Sequence, residues 1–203
     1  MTPGEVMLQR LRDGSRPGER TDDHVVALAV EGGGMRGVLS AGMLLALEQL
    51  GMTDTVDLVV GTSAGAVSGA FFVTHQAVEG SVLFYTELNT EPFLDRSRLL
   101  RREAALDLHH LIEEAAASRG LDPVAVATSP IPLYATVTPV DLTDPTLWFR
   151  VDGAPERVQA ILKATASLPV LAGAEKEVDG GAYVDGGLHE QVPWRTAATL
   201  GAT

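Results

Sequence analysis

Leu58-Val59-Val60-Gly61-Thr62-Ser63-Ala64-Gly65 is an apolar run that enters a turn built on glycine and serine. Ala66 to Val78, rich in small residues, follows as a helix candidate. A serine hydroxyl is a poor nucleophile unless it is held exposed beside a base. G-x-S-x-G between a strand and a helix provides that exposure, because Gly61 and Gly65 spare the neighbouring chain two Cβ atoms. With 21 glycines in the chain, composition alone would produce the pattern in roughly one such sequence in ten. The strand before it and the helix after it raise Ser63 above a merely structural turn. Ser68 falls one helical turn further on and reads as packing.

A second unit of the same kind lies upstream. Val25 to Val30 is a short apolar run of the sort that fills a buried parallel strand. It stops at Gly32-Gly33-Gly34-Met35-Arg36-Gly37, and Val38 to Leu50 continues as a helix that Gly51 ends. Strand, glycine loop, helix, strand, glycine turn, helix predicts an α/β fold: one three-layer domain with a central, mostly parallel sheet between helices. Gly32, Gly34 and Gly37 also satisfy G-x-G-x-x-G, so a dinucleotide site has to be weighed. That site needs an acid at the end of the second strand. Asp54 and Asp57 precede the strand instead, and Ser63 occupies its end. The other use of such a loop is to aim backbone N–H groups at negative charge, which in acyl transfer is the oxyanion. Gly32, Gly33 and Gly34 are the candidate donors. Arg36 either braces the loop or lies near substrate, against the plain alternative of a solvated charge.

Downstream, Ser81–Leu88 and Glu103–Ser118 read as helices, Leu133–Val140 and Leu147–Val151 as paired strands, and Pro155 to Pro169 as a helix. Tyr183-Val184 is a brief strand entering Asp185-Gly186-Gly187, and Val192–Leu200 is a last helix. The irregular region from about Ser81 to Pro132 is expected to form an acyl-binding wall or cap. Phe84, Tyr85 and Phe93 are candidates for its lining; Phe71 and Phe72 read as core. Asp185, at a strand end, is one candidate base for Ser63, since burial raises a carboxyl toward a useful pKa. An Asp-Gly turn without chemistry is the plain alternative. His189 offers a Ser-Asp-His order instead, while His24, His75, His109 and His110 carry no such cue.

Composition narrows the classes. The 203 residues suit one domain, with 1–24 as a polar N-terminal extension and 25–203 as the catalytic domain. The formal net charge of −12 disfavours nucleic acid, whose phosphates need clustered Lys and Arg. It also disfavours electrostatic docking on anionic membrane, which leaves at most peripheral, apolar contact with lipid. The absence of cysteine excludes disulfides and thiolate chemistry. Nothing resembles a signal peptide or a membrane span, so the expected location is cytoplasmic.

The three glycine motifs, in this order, resemble those of the patatin-like phospholipases. Glu31 to Gly37 is similar to that family's D-G-G-G-x-R-G, with Glu31 in place of Asp. Ala164-Thr165-Ala166-Ser167-Leu168-Pro169 is similar to its A-S-x-x-x-P segment, and Tyr183 to Gly187 with Pro193 to its Y-x-D-G-G…P ending. The resemblance implies a Ser63–Asp185 dyad, an oxyanion hole at Gly32, Gly33 and Gly34, and support from Arg36, Gly37, Gly61, Gly65, Gly186 and Gly187. It implies no metal or organic cofactor, and hydrolysis of phospholipid or other lipid esters through an acyl-enzyme. The rivals are an esterase with a Ser-Asp-His triad and an inactive lipid-binding relative. Asp179-Gly180-Gly181 is a second copy of the aspartate motif; Asp185 is favoured because Tyr183-Val184 supplies the strand ahead of it and Pro193 the expected sequel. Such proteins usually continue into another strand beyond the position of Thr203, so a C-terminally truncated domain is part of the expectation.

Overall fold

A computed structural model describes residues 1–203. Six strands form its sheet: β1 (Ala27–Val30), β2 (Leu58–Gly61), β3 (Leu133–Pro139), β4 (Trp148–Arg150), β5 (Lys176–Val178) and β6 (Gly181–Asp185). The expected parallel core is present, with β1 beside β2 and β2 beside β3 in parallel register. Antiparallel additions extend it: β4 and β6 both pair with β3, and β5 pairs with β6. Nine helices surround the sheet: α1 (Pro3–Asp13), α2 (Val38–Gln49), α3 (Ala64–Val73), α4 (Ala77–Thr86), α5 (Ser97–Leu100), α6 (Ala116–Ser118), α7 (Pro123–Thr128), α8 (Pro155–Thr165) and α9 (Trp194–Thr199).

Alternation along β2 makes the layers. Val59 joins the main core with Phe71 and Phe72 of α3, Leu133 of β3 and Ile161 of α8. Leu58 and Val60 point to the opposite face, where Ala197 of α9 covers them. Side chains at a spacing of two share one face of a strand, so a run apolar at every position is what a sheet covered on both sides requires.

The same period fixes where β6 lies. On one edge of β3, Val59 N–H donates to the Pro132 carbonyl, and Val140 N–H donates to that of Ala182. The intervening odd positions serve the other edge: Val151 N–H donates to Leu133, and Val137 N–H to Leu147. Backbone groups alternate between edges along a strand, so β2 and β6 share one edge of β3 and β4 takes the other. β2 reaches Ala135 through Gly61, and β6 begins its contact at Val137 through Asp185. The two strands run toward each other along β3, and their C-terminal ends abut.

Several elements depart from the sequence reading. The helix expected over Ala66–Val78 divides, because α3 stops at Val73 and His75 adopts φ 56° before α4 starts at Ala77. Gly80 permits α4 to lie on α3: a Cβ there would stand 2.7 Å from Cβ of Phe71. The helix expected from Glu103 starts later and takes a wide π turn at His110–Ala115 before α6. β5 was not anticipated. Within 1–24 the sequence reads as a short helix over Glu5–Arg12 with Val6, Leu8 and Leu11 for packing. α1 supplies it, opening with a Thr2–Glu5 capping box, and Val6 and Met7 enter the core while Leu8 and Leu11 stay exposed. Arg10, 2% exposed, bonds both Asp22 and Asp57 at 2.7 Å. No helix is long and apolar enough to cross a membrane.

Candidate active site

Ser63 stands where β2 ends and α3 begins, at φ 54° and ψ −126°. That region costs a non-glycine residue about 1–3 kcal/mol, so surrounding contacts must hold it. Gly61 and Gly65 permit the turn: a Cβ at Gly61 would strike the Ala66 backbone, and one at Gly65 the carbonyls of Val30 and Glu31. Ser63 N–H donates to the Thr165 hydroxyl at 2.9 Å, from the fully buried last residue of α8. Thr62, one residue earlier, is anchored through its hydroxyl to Thr136 at 2.7 Å and to the Glu190 carbonyl at 2.9 Å.

β6 brings Asp185 to the same place from the opposite direction. Its carboxyl accepts from Gly187 N–H at 2.7 Å, and its own N–H donates to the Ser167 carbonyl at 3.0 Å. Burial raises the pKa of Asp185 above the ordinary 3.8, with the Ser63 hydroxyl and Gly187 N–H opposing the rise. A carboxyl with few donors around it and little water is a better proton acceptor than one in solution. Gly186 is required because a Cβ there would overlap Thr136, and a Cβ at Gly187 would press on Asp185 Oδ1 at 3.0 Å. The segment Thr165–Ser167 therefore touches both residues, one through a side chain and one through a carbonyl.

The glycine loop closes the third side. Gly32 N–H donates to the Gln191 carbonyl at 3.1 Å, so this member of the expected donor trio is already engaged. A Cβ at Gly32 would lie 3.0 Å from that of Ser63; its part is close approach. Gly33 (φ 147°) and Gly34 (φ 56°) have N–H groups without an acceptor in the protein, and so does Ala64, the residue after Ser63. Ala64 was not anticipated from sequence. Gly37 is needed for packing, since a Cβ there would lie 2.8 Å from that of Ala64. Arg36 is exposed, makes no ion pair, and lies along Gly33.

The acids that a nucleotide reading would have required are engaged elsewhere. Asp57 receives Arg10, Arg20 and Val26 N–H, and Asp54 lies 3.2 Å from His75. Asp179 proves to be the first turn residue of the β5–β6 hairpin, with φ 50° followed by Gly180 at 85°. Positive φ at both central positions marks a type I′ turn, for which Asp-Gly is a favoured pair. Its carboxylate faces Arg157 at 2.8 Å. His189 is exposed and does not line the site, while His109 and His110 pair with Glu113 and Glu114.

Ser63, Asp185 and Gly32–Gly34 open into a cavity of about 610 Å³, lined by 26 residues of which 17 are hydrophobic. This volume lies within the range of small-molecule sites. Much of the wall comes from the irregular middle region, including Phe84, Leu88, Phe93, Leu99 and Leu111. Tyr85, offered above as a lining residue, instead points to solvent with 68% of its surface exposed, whereas Phe71 and Phe72 are core as expected. Glu190 escaped the sequence reading: its buried carboxylate accepts from Arg195 N–H at 2.7 Å and from the Thr196 hydroxyl at 2.6 Å. It thereby caps α9 and holds the carbonyl that anchors Thr62.

Comparison with known proteins gives a consistent picture. The family description "Patatin-like phospholipase" matches residues 28–198. The uncharacterized protein YjjU of Escherichia coli is 27% identical over 180 residues, covering 87% of this chain and 49% of that protein. An uncharacterized NTE family protein of Mycobacterium tuberculosis, Rv1063c, is 31% identical over 183 residues, 87% of this chain and 46% of its own length. The mouse patatin-like phospholipase domain-containing protein 7 is 26% identical over 202 residues, 95% of this chain and 14% of that protein. The chain thus spans about half the length of the bacterial relatives it matches, and less of the mouse protein.

Proposed function

The chain belongs to the patatin-like phospholipase family, and from that premise we propose that it hydrolyses lipid acyl esters with Ser63 as nucleophile and Asp185 as general base. One observation carries the reading: a buried carboxyl with a raised pKa and a serine on a strained turn share the end of an apolar cavity. In the first half-reaction Ser63 Oγ attacks the ester carbonyl as its proton passes to Asp185. The tetrahedral oxyanion is received by the N–H groups of Gly33 and Gly34, with that of Ala64 available from the other side. Collapse expels the alcohol, which takes the proton from Asp185 and leaves an acyl-Ser63. Water then attacks the acyl group as Asp185 accepts its proton; collapse breaks the bond to Ser63 Oγ, which takes that proton back from Asp185, and the fatty acid departs. Each oxyanion donor is worth about 2.7–4 kcal/mol of transition-state stabilisation. The apolar wall suits an acyl chain, and no second titratable group is needed.

The test uses a fluorophosphonate probe together with hydrolysis of short p-nitrophenyl esters. The wild-type protein labels at Ser63 and turns over; Ser63→Ala does neither; Asp185→Ala loses turnover; His189→Ala retains it. Well-folded protein that neither labels nor hydrolyses any ester would leave an inactive lipid-binding member as the better description. A loss at His189 as deep as that at Ser63 would favour the triad.

A further inference from the structure

Charge is sparse around the cavity, and its sign is opposite to that of the chain. The protein carries −12 overall, yet the ionisable residues lining the cavity are Arg36, Arg96 and the buried Asp185. The neighbours of Arg96 are otherwise engaged. Arg98 faces Asp95 at 3.6 Å and Asp107 at 3.7 Å, and Arg101 faces Asp95 at 3.6 Å and Glu103 at 3.2 Å. These contacts use the local acids and leave Arg96, at the N-terminus of α5, without an ion pair or hydrogen bond. Arg36, arriving from the glycine loop, is equally unpartnered, and both are exposed. Around them the rim is apolar: Met35, Leu168 and Leu188 line the cavity while remaining 49%, 36% and 57% exposed.

Such a mouth matches an amphiphile with a tail for the cavity and an anion for the rim. Apart from the buried Asp185, no carboxylate lines the cavity to receive an ammonium group or to repel a phosphate. Arginine presents a planar fork of donors suited to phosphate oxygens, and an unpaired one is free to use it. Resting on the Ser63 reading, we propose that Arg36 and Arg96 form a subsite for a phosphate on the alcohol portion of the ester. The preferred substrate is then an anionic monoacyl glycerophosphate-type ester, ahead of neutral glycerides and of esters whose phosphate carries a cationic group.

The decisive comparison uses three monomeric substrates of one medium acyl length: a monoacylglycerol, its phosphomonoester, and its phosphocholine diester. Wild-type kcat/KM is expected to be highest for the phosphomonoester, by about tenfold over the neutral ester, the scale of one charged hydrogen-bonded pair. Arg96→Gln should cut that ratio by about tenfold, chiefly through KM, and Arg96→Lys should restore part of it. Equal rates for the three esters, or an Arg96→Gln loss the same on all of them, would overturn the subsite while leaving the hydrolase reading intact. Calorimetric titration of Ser63→Ala protein with the phosphomonoester and the monoacylglycerol supplies an arm that needs no turnover. Tighter binding of the phosphomonoester, abolished by Arg96→Gln, supports the subsite, and equal affinities refute it. Should the phosphocholine ester prove best, the anionic preference falls.

Discussion

Replacing Thr165 by Val keeps shape and removes one acceptor, and its consequence can be worked out in advance. In the native protein that hydroxyl receives Ser63 N–H at 2.9 Å from a fully buried position. Val leaves the amide unpaired, at a cost of about 1–3 kcal/mol. Ser63 is also held at φ 54°, a conformation that stores about 1–3 kcal/mol. The two terms are of similar size and opposite in effect once the turn is released, so the backbone can relax and recover much of the loss. Stability should therefore change little, with Tm falling by no more than about 4 °C in a domain of this size. Geometry should suffer more: a relaxed Ser63 withdraws its hydroxyl from Asp185, and kcat should fall by about 10–100-fold, equivalent to about 1.4–2.8 kcal/mol of barrier. KM should move far less, and Thr165→Ser should recover most of kcat. The assay is p-nitrophenyl ester turnover normalised to fluorophosphonate-titrated sites, run beside differential scanning fluorimetry. Full kcat accompanied by a drop in Tm of several degrees would show that Thr165 is only packing, and the reasoning would fail.

Other outcomes follow from the same geometry. Asp185→Asn should remove about 10²–10⁴ of the rate and raise Tm at pH 7. Because the folded pKa lies above the unfolded 3.8, ionised Asp185 costs stability above its folded pKa, and that cost vanishes as pH falls to 3.8. The melting advantage of Asn should shrink over the same interval, and wild-type kcat/KM should drop on the acid side with a midpoint above 3.8. Arg10→Met takes the guanidinium from Asp22, while Asp57 keeps Arg20 and Val26 N–H; it should cost about 1–3 kcal/mol in chemical denaturation. Arg10 also holds Asp22 at about 2, a lowered pKa whose contribution is complete above 3.8 and lost as pH falls toward 2. The variant should therefore unfold in acid at higher pH than wild type does. Gly65→Ala presses a methyl onto the Val30 and Glu31 carbonyls; it should lose about 1–3 kcal/mol and, by shifting the turn, the fluorophosphonate reaction.

What could be read in advance was local. The Ser63 turn depends on residues within a few positions, and its glycines are dictated by contacts with the adjacent helix and strand, so the motif declares itself. Asp185 was separable from Asp179 because Tyr183-Val184 reads as a strand ahead of it and Pro193 follows it; that Asp179 sits in a hairpin turn after β5 was not legible, since β5 itself was not. That the glycine loop follows β1 and precedes a helix was legible, but not that Gln191 would take the Gly32 amide, since that bond joins distant segments. The roles of Thr165, Glu190 and Arg10 were missed for the same reason, that each acts across the fold. Thr165 stood out only as part of the segment resembling A-S-x-x-x-P, not as the acceptor of Ser63 N–H, and nothing near Glu190 or Arg10 distinguishes them from a surface Glu or a solvated Arg. Around the π turn, periodicity gave only that a helix was present; a widened turn shifts the faces without leaving a mark on the sequence.

The meeting of β2 and β6 along one edge of β3 has a consequence for the order in which the molecule becomes competent. On the ribosome the turn that carries Ser63 emerges before the strand that carries Asp185. A nascent chain that already holds a formed serine elbow thus lacks the proposed proton acceptor until the β5–β6 hairpin zips against an existing edge of β3. Under the proposed reaction, esterolysis should therefore appear only once that hairpin has docked, as a readout of sheet assembly.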